Sequence, residues 1–170
     1  MESGSEFELK VVRVRLVEEP PFYSKQKLSS PQAVLDVVGE ELESYDRELF
    51  CILNMDAKMR AVNLNIVSMG TLNHSLVHPR EIFKSSILSN ALGIILIHNH
   101  PSGDCTPSQT DMDVTKRLEE SGEILGIPVI DHIIVGERAK LFSFYDNGLI
   151  TRKGANLLVA EKNASYGRTR

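Results

Sequence analysis

Leu92-Gly-Ile-Ile-Leu-Ile-His98-Asn-His100-Pro-Ser-Gly-Asp-Cys-Thr-Pro-Ser108-Gln-Thr-Asp111 decides how the rest of the chain is read. The unbroken apolar run from Ile94 to Ile97, rich in β-branched side chains, predicts a strand over 92–98 buried on both faces. Proline, serine and glycine then predict a loop over 101–107. Ser108 predicts an N-cap, with Met112, Thr115, Leu118, Gly122 and Leu125 on the inner face of the helix that follows.

Working outward, residues 129–135 and 141–145 predict two further strands split by a turn at Gly136-Glu-Arg138. Toward the N-terminus, Pro79-Arg80-Glu81 opens a helix to about Ser89, with Ile82, Phe83 and Ile87 inward. Residues 61–69 predict a strand closed by Gly70-Thr71, and residues 49–53 another that begins at Glu48, with a turn over 54–58 between them. Ser30-Pro31 predicts an N-cap with proline at the first helical position, followed by the apolar face Val34, Val37, Val38 and Leu42. Residues 7–17 alternate and then shift phase, as a bulged strand does, until Glu18-Glu-Pro-Pro-Phe22 breaks the pattern. Strands interleaved with helices predict an α/β domain, a mixed sheet with helices packed on both faces. The expected division is an N-terminal segment over 1–29, one domain over 30–152 and a tail over 153–170.

Composition narrows the function classes. The chain is long enough for one real core, at 170 residues. No apolar run approaches the ~20 residues that cross a bilayer, and the acidic start lacks the pattern of a signal peptide; a cytoplasmic location is expected. Two cysteines, Cys51 and Cys105, are too few for a disulfide framework or a zinc finger. A net charge of −4 argues against binding through nucleic-acid phosphates. The short basic end, Tyr166-Gly-Arg-Thr-Arg170, reads as a solvated terminus.

Side chains two apart on a strand share a side, so His98 and His100 can aim at one point beyond the end of a buried strand. Open α/β sheets tend to place ligands there. The loop returns at once to a helix that carries Asp111 in its first turn. Two histidines and a carboxylate suit zinc, and three protein ligands leave a fourth position for water. The same residues admit a plainer account: two exposed histidines, and a capping box in Ser108-Gln-Thr-Asp111. Spacing alone leaves both open.

The fourteen-residue text His98-x-His100, seven residues, Ser108, two residues, Asp111 resembles the JAMM metalloprotease motif, the catalytic form of the JAB/MPN domain. The longer text is similar to the RadC-like members of that superfamily. The matching stretches are Gly70-Thr-Leu, His78-Pro-Arg-Glu81, His98-Asn-His-Pro-Ser-Gly103, Pro107-Ser108, Asp131-His-Ile-Ile-Val-Gly136 and Ser143-Phe. The resemblance covers roughly residues 30–150. It implies a JAB/MPN-like fold with a cytidine-deaminase-like layout, and zinc held by His98, His100 and Asp111. It implies that Ser108 supports the oxyanion or a bound water. It implies a glutamate base from an earlier strand, which Glu48 fits; Glu81, at a helix start, is the rival. Longer RadC-like proteins carry an N-terminal helix-hairpin-helix-like region, for which this chain has no room, and a suggested link to DNA repair.

Three functions follow for comparison. The first is a zinc-dependent hydrolase acting on a peptide or isopeptide amide of an unknown protein substrate. The second, a zinc nucleoside deaminase, requires a glutamate two residues after the first histidine and a later Pro-Cys-x-x-Cys; His100 stands at the first position and the second motif is missing. The third is a non-enzymatic or DNA-associated module with a vestigial metal site. His74 and His78 lack ligand spacing and read as surface residues; His132 reads as a residue that either packs or supports the ligands from behind, with packing favoured. No Gly-x-Ser-x-Gly elbow supports a serine hydrolase. Substrate and oligomeric state are not written in the sequence.

Overall fold

A computed structural model describes residues 13–17, 30–70, 77–138 and 140–150. Its elements, in chain order, are helix α1 (Pro31–Glu43), strands β1 (Leu49–Met55) and β2 (Ala61–Met69), helix α2 (Pro79–Leu88), strand β3 (Gly93–Asn99), helix α3 (Gln109–Leu125), and strands β4 (Val129–Val135) and β5 (Leu141–Ser143). The five strands form one sheet in the order β2-β1-β3-β4-β5. The β3–β4 pair is parallel and is joined by α3. The other neighbours are antiparallel, so the sheet is mixed, as expected.

Strand alternation sorts the apolar residues into two cores. Phe50, Ile52, Ile94 and Leu96 turn toward α2 and α3 and pack with Ile82, Phe83, Val114 and Leu118. Leu49, Cys51, Leu53, Ile95 and Ile97 turn the other way and pack with Val34, Leu35, Val38 and Leu42 of α1. Helices therefore cover both faces. The central strands β1, β3 and β4 are buried along their whole length, whereas β2, on the sheet edge, is only half covered.

The helix starts follow the sequence closely. Ser30 caps α1 by accepting from the Ala33 amide, with Pro31 after it. α2 is capped by His78, whose ring accepts from the Arg80 amide at 3.3 Å, giving that histidine a structural task. α3 ends at Gly126, whose φ of 69° is one a side chain resists.

Several expectations are corrected. Ile87 and Leu125 are exposed, at 54% and 45%, not inward; each stands near the end of its helix. β1 continues through Asn54 to Met55, so the turn starts at Asp56. β3 starts and ends one residue later than expected. The last strand stops at Ser143, after which Phe144 and Tyr145 enter a turn. Residues 13–17 form no strand, and Val14 and Val17 are exposed. The rest of the expected N-terminal strand, His74 and the tail lie outside the described residues. Among the described residues, no helix is long and apolar enough to cross a membrane.

Candidate metal centre

His98 and His100 stand at the carboxyl end of β3, on the side facing α3. Phe50 lies opposite His98 in the β1–β3 register, and the two rings stack, with centroids 5.9 Å apart and 14° between planes. The His98 ring is wholly buried. One residue past the strand, His100 donates its amide to the Val135 carbonyl at 2.9 Å, which keeps it in line with the sheet. Its ring is 12% exposed.

The loop after His100 turns tightly enough to return a carboxylate to these rings. Gly103 has a φ of 81° and donates its amide to the His100 carbonyl. A side chain at Gly136 would meet the Gly103 carbonyl at 2.6 Å, so glycine there lets the end of β4 touch the loop. Ser108 then caps α3 in a full capping box. Its hydroxyl accepts from the Asp111 amide at 3.2 Å. In return, its own amide and hydroxyl donate to Asp111 Oδ2 at 2.7 and 2.6 Å. The capping account and the clustering account of this motif are both correct: the box is what aims Asp111.

Asp111, 3% exposed, brings Oδ1 to 3.3 Å from His98 Nε2 and Oδ2 to 3.5 Å from His100 Nε2. The two Nε2 atoms are 3.0 Å apart. One ligand atom from each residue lies within 4.8 Å of the others, so the three could hold a metal ion. The chemistry of the donors fits a cation. His100 Nδ1 sits 2.6 Å from the Asp104 carbonyl, which can only accept; Nδ1 is thus the protonated nitrogen, and a neutral ring points a lone pair at the cluster. Two ring nitrogens and a carboxylate converge with too few protons among them.

Burial alone pushes the Asp111 carboxyl up, but the His100 and His98 rings beside it and the bonds from Ser108 outweigh it and hold the group far below the usual carboxylate range. Burial pushes His98 down, opposed by the adjacent Asp111 carboxylate. The same carboxylate raises His100. Both histidines also feel the charge of Glu48.

Glu48 immediately precedes β1. It lies two residues before Phe50 and so on the same side of the sheet as Phe50 and His98. Its backbone is bracketed by Asn99, whose side chain points away from the two histidines. Asn99 Oδ1 accepts from the Leu49 amide at 2.7 Å and its Nδ2 donates to the Arg47 carbonyl at 3.1 Å. The Glu48 carbonyl accepts from Gly70. Glu81, by contrast, is 43% exposed and paired with Lys84 and Arg80; its bond to Lys84 first, then these charges, lower its pKa.

The sequence reading missed Asn99 and Thr115, and left His132 between packing and support of the cluster, with packing favoured. His132 bonds His98 Nδ1 through its Nε2 at 2.8 Å. Thr115, expected as an apolar-face residue, bonds His132 Nδ1 at 2.6 Å. Their signal was weak: a polar residue in an otherwise apolar strand or helix face. Among the cysteines, Cys51 is buried, which pushes its thiol up to about 12, and Cys105 is free.

A domain that sets two strand-end histidines against a helix-capping aspartate belongs to a recognisable class, and the comparisons name it. The family profile described as "RadC-like JAB domain" matches residues 28–149, and the chain belongs to that family. Similar proteins include a "UPF0758 protein" of Desulfitobacterium hafniense, 46% identical over 123 residues, which are 72% of this chain and 54% of that protein. One from Trichlorobacter lovleyi is 48% identical over 125 residues, 74% of this chain and 54% of its own length. One from Methanosarcina mazei is 41% identical over 144 residues, 85% of this chain and 61% of its own length. The chain thus spans little more than half the length of these relatives.

Proposed function

We propose that this domain is a zinc-dependent hydrolase of the JAMM type that cleaves a peptide or isopeptide amide. The observation that carries the reading is the convergence of His98 Nε2, His100 Nε2 and the Asp111 carboxylate at the end of β3. Those three side chains are the ligand set. Zinc held there supplies Lewis acidity and water acidified to a pKa of ~7.

The remaining work falls to this chain's own groups. Glu48 accepts a proton from the attacking water and delivers it to the amide nitrogen as the C–N bond breaks, so the amine leaves neutral and the acyl carbon gains the oxygen. Ser108 holds Asp111 in place. Its hydroxyl can swing to the developing oxyanion while its amide keeps the bond to Asp111 Oδ2. A buried carboxylate held by Ser108 and two rings held at their Nδ1 atoms support an operating site over a vestigial one.

The test has two parts. Purified protein is expected to carry about one zinc per chain, and to release amine from a library of peptide and isopeptide amides, with loss of turnover on chelation and return on adding zinc. Full zinc with no hydrolysis across that library would move the domain to a non-enzymatic role. No zinc uptake at all would end the proposal.

A further inference from the structure

His132 sits at the centre of β4, wholly buried, directly beside Leu96 in the parallel β3–β4 register. It stacks on Phe144, with centroids 4.7 Å apart, and meets the edge of Phe50 at 5.7 Å. An imidazole between two phenyl rings is poorly placed to carry charge. It nevertheless has a hydrogen-bond partner at each nitrogen: Thr115 Oγ1 at Nδ1 and His98 Nδ1 at Nε2.

The protons of this chain can be assigned from one end. Thr115 Oγ1 donates to the Asp111 carbonyl at 2.6 Å, one helical turn earlier, and a carbonyl can only accept. Its single proton is therefore engaged, so toward His132 the hydroxyl oxygen is an acceptor. His132 Nδ1 must then carry the proton. In a neutral ring that leaves Nε2 bare, so it accepts from His98. His98 in turn carries its proton on Nδ1 and turns an unprotonated Nε2 toward His100 and Asp111. The chain begins and ends on one residue: Asp111 supplies the carbonyl at its start and the carboxylate beside the nitrogen at its finish.

We propose that His132 is a positioning residue that, through Thr115, locks His98 in the Nδ1–H tautomer and so presents Nε2 ready to bind metal. The inference rests on the metal-site reading above. Partners of this kind fix ring orientation and ligand basicity, and their loss typically costs 10–100-fold in metal affinity, as an order of magnitude. A packing role alone predicts no such dependence on hydrogen-bonding atoms, since phenylalanine would fill the space between Phe50 and Phe144 as well.

The experiment reads the tautomer directly. Two-bond proton–nitrogen correlation spectra of zinc-free, ¹⁵N-histidine-labelled protein, with its five histidines, report which nitrogen of His98 is protonated. Zinc affinity is measured in parallel by competition with a chromophoric chelator. The wild type is expected to show His98 as Nδ1–H. His132→Phe should raise the Nε2–H population and weaken zinc about 10–100-fold. His132→Gln, whose Oε1 can accept where Nε2 did, should recover most of the affinity. Thr115→Val, near-isosteric and safer for folding, should release the lock and weaken zinc several-fold. An Nε2–H tautomer in the wild type, or wild-type affinity in both His132→Phe and Thr115→Val, would overturn the assignment. A wild type that takes up no zinc but shows His98 as Nδ1–H defeats the metal-site reading and upholds the tautomer lock.

Discussion

Ser108 and Asp111 hold each other reciprocally: the serine hydroxyl accepts from the aspartate amide at 3.2 Å and donates to the aspartate carboxylate at 2.6 Å. One pair of residues thus starts a helix and aims a ligand. Ser108→Ala removes both bonds but leaves the backbone amide on Oδ2 at 2.7 Å. The variant is expected to lose ~1 kcal/mol of stability, the usual worth of an N-cap. Zinc should be weakened several-fold but not abolished, whereas Asp111→Ala should lose it. Thermal melting and chelator competition on the two variants check this; complete zinc loss from a folded Ser108→Ala protein would mean that the hydroxyl is itself a ligand.

Asn99 is expected to matter for both stability and rate. Asn99→Ala leaves the buried Leu49 amide without its acceptor, at a cost of about 1–3 kcal/mol. It also frees the backbone on either side of Glu48, so turnover should fall while zinc binding holds. Denaturant midpoints and zinc stoichiometry on the same preparation separate the two effects. An unchanged midpoint would show that the Asn99 bonds contribute nothing.

What the sequence disclosed and what it hid divide along a physical line. That His98, His100 and Asp111 come together was legible in part, because strand parity and a capping box are local; preferring a ligand set over the plainer account took the resemblance. Thr115 was not legible, and His132 could only be weighed between packing and support, because their roles depend on the β3–β4 register and on α3 crossing behind it. Nothing in the text 131–135 says that Leu96 will be its neighbour. Ile87 and Leu125 failed for a related reason. Helical period tells which residues share a face, but not where the covering sheet stops, and both stand where it has run out. Arg13–Val17 alternate as a strand does, yet alternation without a neighbouring edge to pair with makes no strand.

Asp56 makes the turn between β1 and β2 sensitive to acid. Its carboxylate bonds the Arg60 side chain and the amides of Arg60 and Lys58. Chiefly through the Arg60 side chain, these lower its pKa to about 2. A carboxylate depressed in the folded state adds stability above its unfolded pKa, ~3.9, and loses it as pH falls through the folded value. Urea midpoints of the wild type should therefore fall faster than those of Asp56→Asn between about pH 4 and pH 2. Parallel curves over that window would remove Asp56 from the acid response.

Duplex and single-stranded DNA are expected to bind no tighter than micromolar at physiological salt, because a chain with net charge −4 releases few counterions. A fluorescence titration at two salt concentrations decides it. Nanomolar affinity with a steep salt slope would reveal a basic patch and favour a DNA-associated role.

Glu48 and Glu81 are the two glutamates weighed for the base that the resemblance implies, and their surroundings now differ sharply. A base must reach the reacting water directly or through one more water. Glu48 stands at the head of β1, its carbonyl accepting from Gly70 and its neighbours Arg47 and Leu49 held by Asn99. Glu81 is committed to Lys84 and Arg80 on an exposed helix turn. Glu48→Gln keeps the size of the side chain and removes its basicity. It should bind zinc normally and lose ~10²–10⁴-fold in turnover on any amide the domain cleaves. Glu81→Gln should cost less than a few-fold in rate and little in stability, as an exposed ion pair contributes little. Steady-state rates and zinc content of the two variants give the answer together. A Glu48→Gln enzyme at near wild-type rate beside a disabled Glu81→Gln enzyme would reverse the assignment, and zinc loss in Glu48→Gln would recast Glu48 as a ligand.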